Sequence, residues 1–218
     1  TLMKILMGIY QRDSGEVILD GDQVHFQTPK EAIDCGISMI PQELTPILDI
    51  EVSEYLFTGR EIRKNNLGPL SIVDHRAQRE QAEDLIRRFG IDVNPRSLMR
   101  HLSVAQKQLV EIIKAISLSS KVIVMDEPTS AITYKEVETL FEQIGKLKAQ
   151  NVAVIYISHK MEEIFRVADR ITVLRDGKHI CTENASDMDK EKTIKYMVGR
   201  EIKEIYPKEI SKPGDVVL

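Results

Sequence analysis

The sequence predicts an α/β fold: a parallel sheet core, a small antiparallel β region and an inserted helical lobe. Three observations carry this. Val122-Ile123-Val124-Met125 is a short, wholly apolar run, the pattern of a parallel strand covered on both faces. Val152–Ile157 repeats it, and the stretch between them has helical periodicity, so strand, helix and strand alternate as in a parallel sheet. From about Ile50 to Ser117 the pattern is mostly helical, which interrupts the alternation.

The elements follow in order. Thr1–Gly8 has helix periodicity, with Leu2, Ile5 and Leu6 on one face. It opens without a capping or entry segment, so residues upstream are expected. Ser14-Gly15 makes a turn, and Glu16–Asp20 reads as a strand closed by Gly21. Thr28 caps a short helix that has Pro29 at its first position. Ile37–Ile40 is a strand stopped by Pro41. Ile72–Phe89 is charged on one side and offers Ala77, Ala82, Leu85, Ile86 and Phe89 to the other. Asn65–Pro69 and Asp92–Pro95 read as loops. A helix from about Tyr134 to Ala149 joins the two apolar strands. Helix Met161–Ala168, strand Arg170–Arg175, a turn at Asp176-Gly177 and a helix over Lys190–Val198 complete the order. Three domain segments result. Residues 1–49 and 118–206 form a discontinuous core, 50–117 form the helical lobe, and 207–218 are a linker with the start of a following domain.

Bulk properties narrow the function. The 218 residues suffice for one large domain, or a domain with a lobe. A net charge of −4 gives no electrostatic footprint for nucleic acid. No apolar run nears the roughly 20 residues of a spanning helix, and no signal peptide is visible. Cys35 and Cys181 match no metal spacing and are expected to be reduced and structural. The histidines form no HxH or HxxxH pair, so no zinc site is expected. Met39 and Met125 are expected in the core.

The chemistry concentrates where Asp126 and Glu127 end the first apolar strand. Two carboxylates at the mouth of such a strand are costly unless they meet a cation or a reacting group. In nucleotide hydrolases one acid holds Mg²⁺ and another orients the attacking water. A solvated acidic turn is the plain alternative, but the neighbouring motifs weigh against it. Gln42 follows a strand, Leu102-Ser103-Val104-Ala105-Gln106 precedes a helix, Ser130-Ala131 lies just past the acids, and His159 follows the next strand.

In this order and spacing, the motifs resemble the ATP-binding (nucleotide-binding) domain of ABC transporters, a P-loop NTPase-like fold. The resemblance covers essentially the whole chain. It is strongest to the sugar-importer type, which has two tandem ATPase domains. Ile40-Pro41-Gln42-Glu43-Leu44, Ser158–Ile164 and Met197–Glu201 carry it. Thr1-Leu2-Met3-Lys4-Ile5-Leu6 resembles the helix that directly follows the family's phosphate loop, G-x-x-x-x-G-K-[ST]. The chain thus resembles the first domain without that loop, and without the upstream aromatic residue on which such domains stack adenine.

The resemblance implies ATP and Mg²⁺ as ligands and roles for named residues. Asp126 would bind Mg²⁺, with Gln42 reaching the metal or the water. Glu127 would position or deprotonate the attacking water, and His159 would sense the γ-phosphate. Thr1 would lie beside the nucleotide. Ser103, Val104, Ala105 and Gln106 match the family signature, usually Ser-Gly-Gly-Gln, which contacts the nucleotide of the other ATPase domain. Ala105 adds a methyl group where backbone approaches phosphate. Thr133 stands where many relatives have Asp. The implied function is a transport-coupled ATPase that energises carbohydrate import at the cytoplasmic face of the membrane, bound peripherally. Its implied partners are transmembrane permease subunits, a second ATPase domain and, indirectly, a periplasmic or extracellular sugar-binding protein, with no nucleic acid. Without its loop the chain alone is expected to be inactive. The alternatives are a soluble ABC-type ATPase acting on ribosome or DNA, and a non-hydrolysing fragment.

Overall fold

The computed structural model describes residues 1–64, 71–118 and 120–199. The loop expected at Asn65–Pro69, the end of the Met197–Glu201 segment and the linker at 207–218 lie outside the described residues. The chain divides into two units, Thr1–Lys160 and a second that begins at Met161.

The first unit is built on a three-stranded parallel sheet in the order β3 (Ile37–Ile40), β4 (Val122–Asp126), β5 (Ala153–Ile157). Ile37 pairs with Val122 and Ile40 with Met125, while Asp126 pairs with Ile157. The middle strand explains its own sequence. Ile123, Val124 and Met125 are completely buried, because a central parallel strand has no solvent face. Helix α6 (Tyr134–Ala149) supplies the crossover from β4 to β5. Thr133 starts it, donating its backbone N–H to Glu136 Oε2 at 2.7 Å.

The amino-terminal part contains α1 (Leu2–Leu6), the hairpin β1 (Val17–Leu19) and β2 (Asp22–Val24), and α2 (Pro29–Asp34). Met7, Phe26, Ala32 and Ile37 form a core cluster there, with Met39 packed against it. β2 was not expected. Its residues, Asp-Gln-Val, carry no apolar alternation, and pairing with β1 alone makes them a strand. The turn between them is Asp20-Gly21, both at positive φ (54° and 92°), the geometry of a two-residue type I′ hairpin.

Helices α3 (Val52–Leu56), α4 (His75–Phe89) and α5 (Val104–Ile116) share a second core of Val52, Leu56, Ala82, Ile86, Met99, Val110 and Ile113. The Arg79 guanidinium forks onto Glu51 at 2.9 and 2.8 Å, tying the start of α3 to α4. That contact holds the Glu51 carboxyl below its usual range. α4 begins later than its charge pattern suggested, because Asp74 caps it by accepting a bond from the Ala77 N–H. Ile113 is fully buried. Ile113→Ala should therefore lower the unfolding free energy by about 2–5 kcal/mol. Urea denaturation checks this, and a loss below about 1 kcal/mol would mean that the helices pack loosely at this point.

The second unit contains α7 (Met161–Val167), β6 (Arg170–Arg175), β7 (Lys178–Asn184) and α8 (Lys190–Val198). The alternating order placed Arg170–Arg175 in the parallel sheet. Its pairing among the described residues is instead antiparallel, with β7. Asp176-Gly177, at φ 52° and 73°, again makes a type I′ turn, so the chain doubles back at once. Ile171, Val173 and Met188 form the buried core of this unit, with Cys181 packed beside them. Both cysteines are free, and Cys35 is exposed, so it has no packing role, contrary to expectation.

Candidate active site

β4 and β5 end side by side, and the ladder runs one residue further: the Glu127 N–H donates to Ile157 O at 2.9 Å. Glu127 then takes φ 49°, a left-handed conformation that non-glycine residues adopt at a cost. Pro128 follows it, and the Ser130 N–H closes the turn onto Glu127 O at 3.2 Å. The result is a glutamate turned out of the strand direction while its backbone stays anchored to the neighbouring strand.

Its carboxylate is the meeting point of three loops. Gln42, just past β3, donates from Nε2 to Glu127 Oε2 at 3.3 Å. His159, just past β5, donates from Nδ1 to Glu127 Oε1 at 3.1 Å. The Glu127 side chain is 26% exposed and that of His159 is 70% exposed, so the cluster opens to solvent. With Nδ1 committed to Glu127, Nε2 is the ring nitrogen left to face a further group.

Asp126 precedes Glu127 and is partly buried. Burial raises its carboxyl above the ordinary Asp range and the Glu127 charge adds to this, while the ammonium of Lys4 pulls it back down. Thr1 stands exposed at the start of α1, as its N-cap, with no side-chain cap bond. Among the described residues, no side-chain hydrogen bond or ion pair to the Asp126 carboxylate occurs. It is an acceptor without a protein donor, beside a second carboxylate.

Ser103 to Gln106 stand apart from this cluster, and no hydrogen bond or ion pair joins them to it among the described residues. They begin α5 with a reciprocal cap: the Gln106 N–H donates to Ser103 Oγ at 3.2 Å, and the Ser103 N–H donates to Gln106 Oε1 at 3.0 Å. Gln106 Nε2 donates to Asp92 O at 3.0 Å, so its side chain is committed to the cap. Val104 is 64% exposed, an apolar residue left on the surface.

Sequence reasoning missed one contributor. Lys160 Nζ lies 3.2 Å from Thr129 O and 3.1 Å from Thr129 Oγ1, joining the loop after β5 to the loop after β4. Its only sequence signal is adjacency to His159.

A parallel sheet with a tandem acid pair at the end of its central strand, served by an amide loop and an imidazole loop, defines the class of α/β nucleotide-binding domains. The chain belongs to the ABC transporter family, whose family model matches residues 1–130. It is similar to galactose/methyl galactoside import ATP-binding protein MglA 1 of Photobacterium profundum, at 48% identity over 218 residues, covering all of this chain and 43% of that protein. A putative ribose/galactose/methyl galactoside import ATP-binding protein of Rhizobium etli is 49% identical, with 100% and 42% covered. The chain therefore spans less than half the length of these relatives. The fold matches a nucleotide-free ATP-binding cassette from an ABC transporter at TM-score 0.71 and 21% identity, over 91% of this chain and 79% of that one. It also matches a dimeric ATP-binding cassette in a post-hydrolysis state bound to ADP and Pi, at TM-score 0.70 and 20% identity, over 84% and 79%.

Proposed function

We propose that this chain is the first ATPase domain of an importer for monosaccharides of the galactose or ribose kind. The observation that carries the chemistry is Glu127 held between Gln42 and His159, one residue after Asp126. The relatives' names support the transport reading, since both are sugar import ATP-binding proteins.

The site suits Mg²⁺. That ion takes one or two carboxylates and fills its remaining positions with water and phosphate oxygens. The donor-free Asp126 carboxylate fits this demand, and Gln42 Oε1 would be the second protein oxygen. When bound with ATP, the ion would neutralise charge on the phosphates. The chain's own residues would do the rest. Glu127 accepts a bond on each carboxylate oxygen now, and exchanging one of these donors for water would place that water on an oriented base. His159 would release Glu127 and turn to the γ-phosphate, so the same imidazole reports whether nucleotide is present. Ser103 and the exposed start of α5 would meet the phosphate held by a second ATPase domain, favoured there by the helix dipole. Ala105 would make this half-site weaker than one with glycine.

No G-x-x-x-x-G-K-[ST] loop occurs in the 218 residues, so we propose that the polypeptide alone does not turn ATP over. In the parent protein, permease subunits would hold the domain at the cytoplasmic face. Among the described residues, no helix is long and apolar enough to cross a membrane. An open groove of about 860 Å³, lined by Phe57, Arg60, Gln81, Leu85, Gln143 and Leu147 among others, offers the permease a mixed apolar and charged seat. Vesicles carrying the parent protein with its permease and binding protein should take up labelled galactose or ribose only when Mg-ATP is supplied on the side of this domain. Uptake indifferent to Mg-ATP would refute the reading.

A further inference from the structure

We propose that Lys160 is a positioning residue, a side-chain tie that keeps the His159 loop and the Glu127 loop in register while their catalytic groups change partners. The inference rests on the hydrolysis reading above.

Among the described residues, the contacts that join the two loops include three of different kinds. The first is the backbone bond from the Glu127 N–H to Ile157 O, 2.9 Å, at the base. The second is the His159–Glu127 bond of 3.1 Å, at the tip. The third is Lys160 Nζ on Thr129, with the carbonyl at 3.2 Å and the hydroxyl at 3.1 Å. These contacts differ in what can be done with them. The His159–Glu127 bond uses the two groups that must be free to meet water and phosphate, so it cannot persist through a turnover. The backbone bond sits before the point where Glu127 leaves the strand at φ 49°, so it does not tie the turn beyond it to the neighbouring loop. Lys160 ties the far side of that turn to the His159 loop without using a reacting atom.

The local geometry suits the task. The Lys160 N–H donates to Ser158 Oγ at 3.0 Å, folding Ser158-His159-Lys160 so that the lysine stem points back toward β4. Its target, Thr129, is only 3% exposed, a fixed point. An ammonium bonded to two oxygens of one buried residue makes charge-assisted contacts stronger than neutral ones. An ordinary surface lysine would have one loose partner or none. Glu127 is therefore braced on both sides of Pro128: at its own amide, and two residues on at Thr129.

The test uses the parent protein. Lys160→Met keeps the length of the side chain and removes its donors. The expected result is a fall in kcat of about tenfold with the KM for ATP unchanged, because misplacement of a base by a fraction of an ångström acts on the reaction and not on nucleotide capture. Lys160→Arg should recover most of kcat. In a His159→Ala background, Lys160→Met should add less than twofold, since the geometry it maintains has already lost one of its members. Thr129→Val, which removes one of the two acceptors, should lower kcat severalfold in the same direction and serves if Lys160→Met does not fold. An unchanged kcat in Lys160→Met, a rise in KM alone, a full tenfold loss in the His159→Ala background, or an unchanged kcat in Thr129→Val would overturn the proposal. If Glu127→Gln abolishes turnover while Lys160→Met is silent, only the tie is wrong. If Glu127→Gln is silent, the hydrolysis reading itself has failed.

Discussion

Glu127→Gln should lower kcat for Mg-ATP hydrolysis by about 10²- to 10⁴-fold, the range that a positioned general base supplies. The measurement needs a polypeptide in which a phosphate loop precedes this segment. The substitution nearly preserves shape and changes what the side chain can accept. Each Glu127 oxygen now takes one hydrogen bond, from Gln42 Nε2 and from His159 Nδ1. A glutamine keeps one oxygen, which can serve one of those donors, and its amide nitrogen would face the other as donor to donor. Both donors lie on exposed residues and can turn to water, so stability should move by less than about 1 kcal/mol. The KM for ATP should also stay within about threefold, because Glu127 would act on water and not on nucleotide. Retention of more than a tenth of the wild-type kcat would remove Glu127 from the mechanism.

What was legible in the sequence follows from how local the governing physics is. Val122–Met125 announced a central strand because burial on both faces leaves no position for a polar residue. Helix α8 was readable to its ends because Asp189 caps it and Gly199, at φ 78°, stops it. The strands β2 and β7 were not readable. Asp22-Gln23-Val24 and Lys178–Asn184 become strands only because an Asp-Gly turn folds each onto an apolar partner, and the turn was visible while the consequence was not. For β6 the alternation rule misled, since the hairpin with β7 supplies its ladder. At the candidate site, Gln42, Asp126, Glu127 and His159 were readable as motif residues, and Gln42 and His159 do bond to Glu127. The Lys160–Thr129 contact spans 31 positions and depends on the left-handed turn at Glu127, so nothing local encodes it. The commitment of Gln106 to capping was foreshadowed by Ser-x-x-Gln, which is equally a helix start and a phosphate-facing motif.

Asp126→Asn should separate stability from activity. The Asp126 carboxyl lies above its ordinary range, with burial as the larger cause and the Glu127 charge as the second. The folded state therefore holds the Asp126 proton more tightly than the unfolded chain does. The slope of stability with pH is negative wherever the folded state binds more protons, so this residue contributes a loss of stability as pH rises from the usual Asp range through the raised value. Above that window the loss is complete, and the ligand-free domain there carries the full cost of an ionised Asp126. Asparagine has nearly the same shape and no charge. The variant should thus melt at the same temperature or higher at pH 7, and lose that advantage at acid pH, where the wild-type carboxyl is protonated. With a phosphate loop in place, the same substitution should raise the Mg²⁺ concentration needed for half-maximal hydrolysis by at least tenfold and depress kcat, because a neutral amide is a poor replacement for a carboxylate at a hard cation. Added Mg²⁺ without nucleotide should raise the melting temperature of the wild type more than that of the variant. A variant that melts lower at pH 7 would show that the carboxylate is satisfied by the protein itself. Such a result would leave no reason for a cation at this strand end.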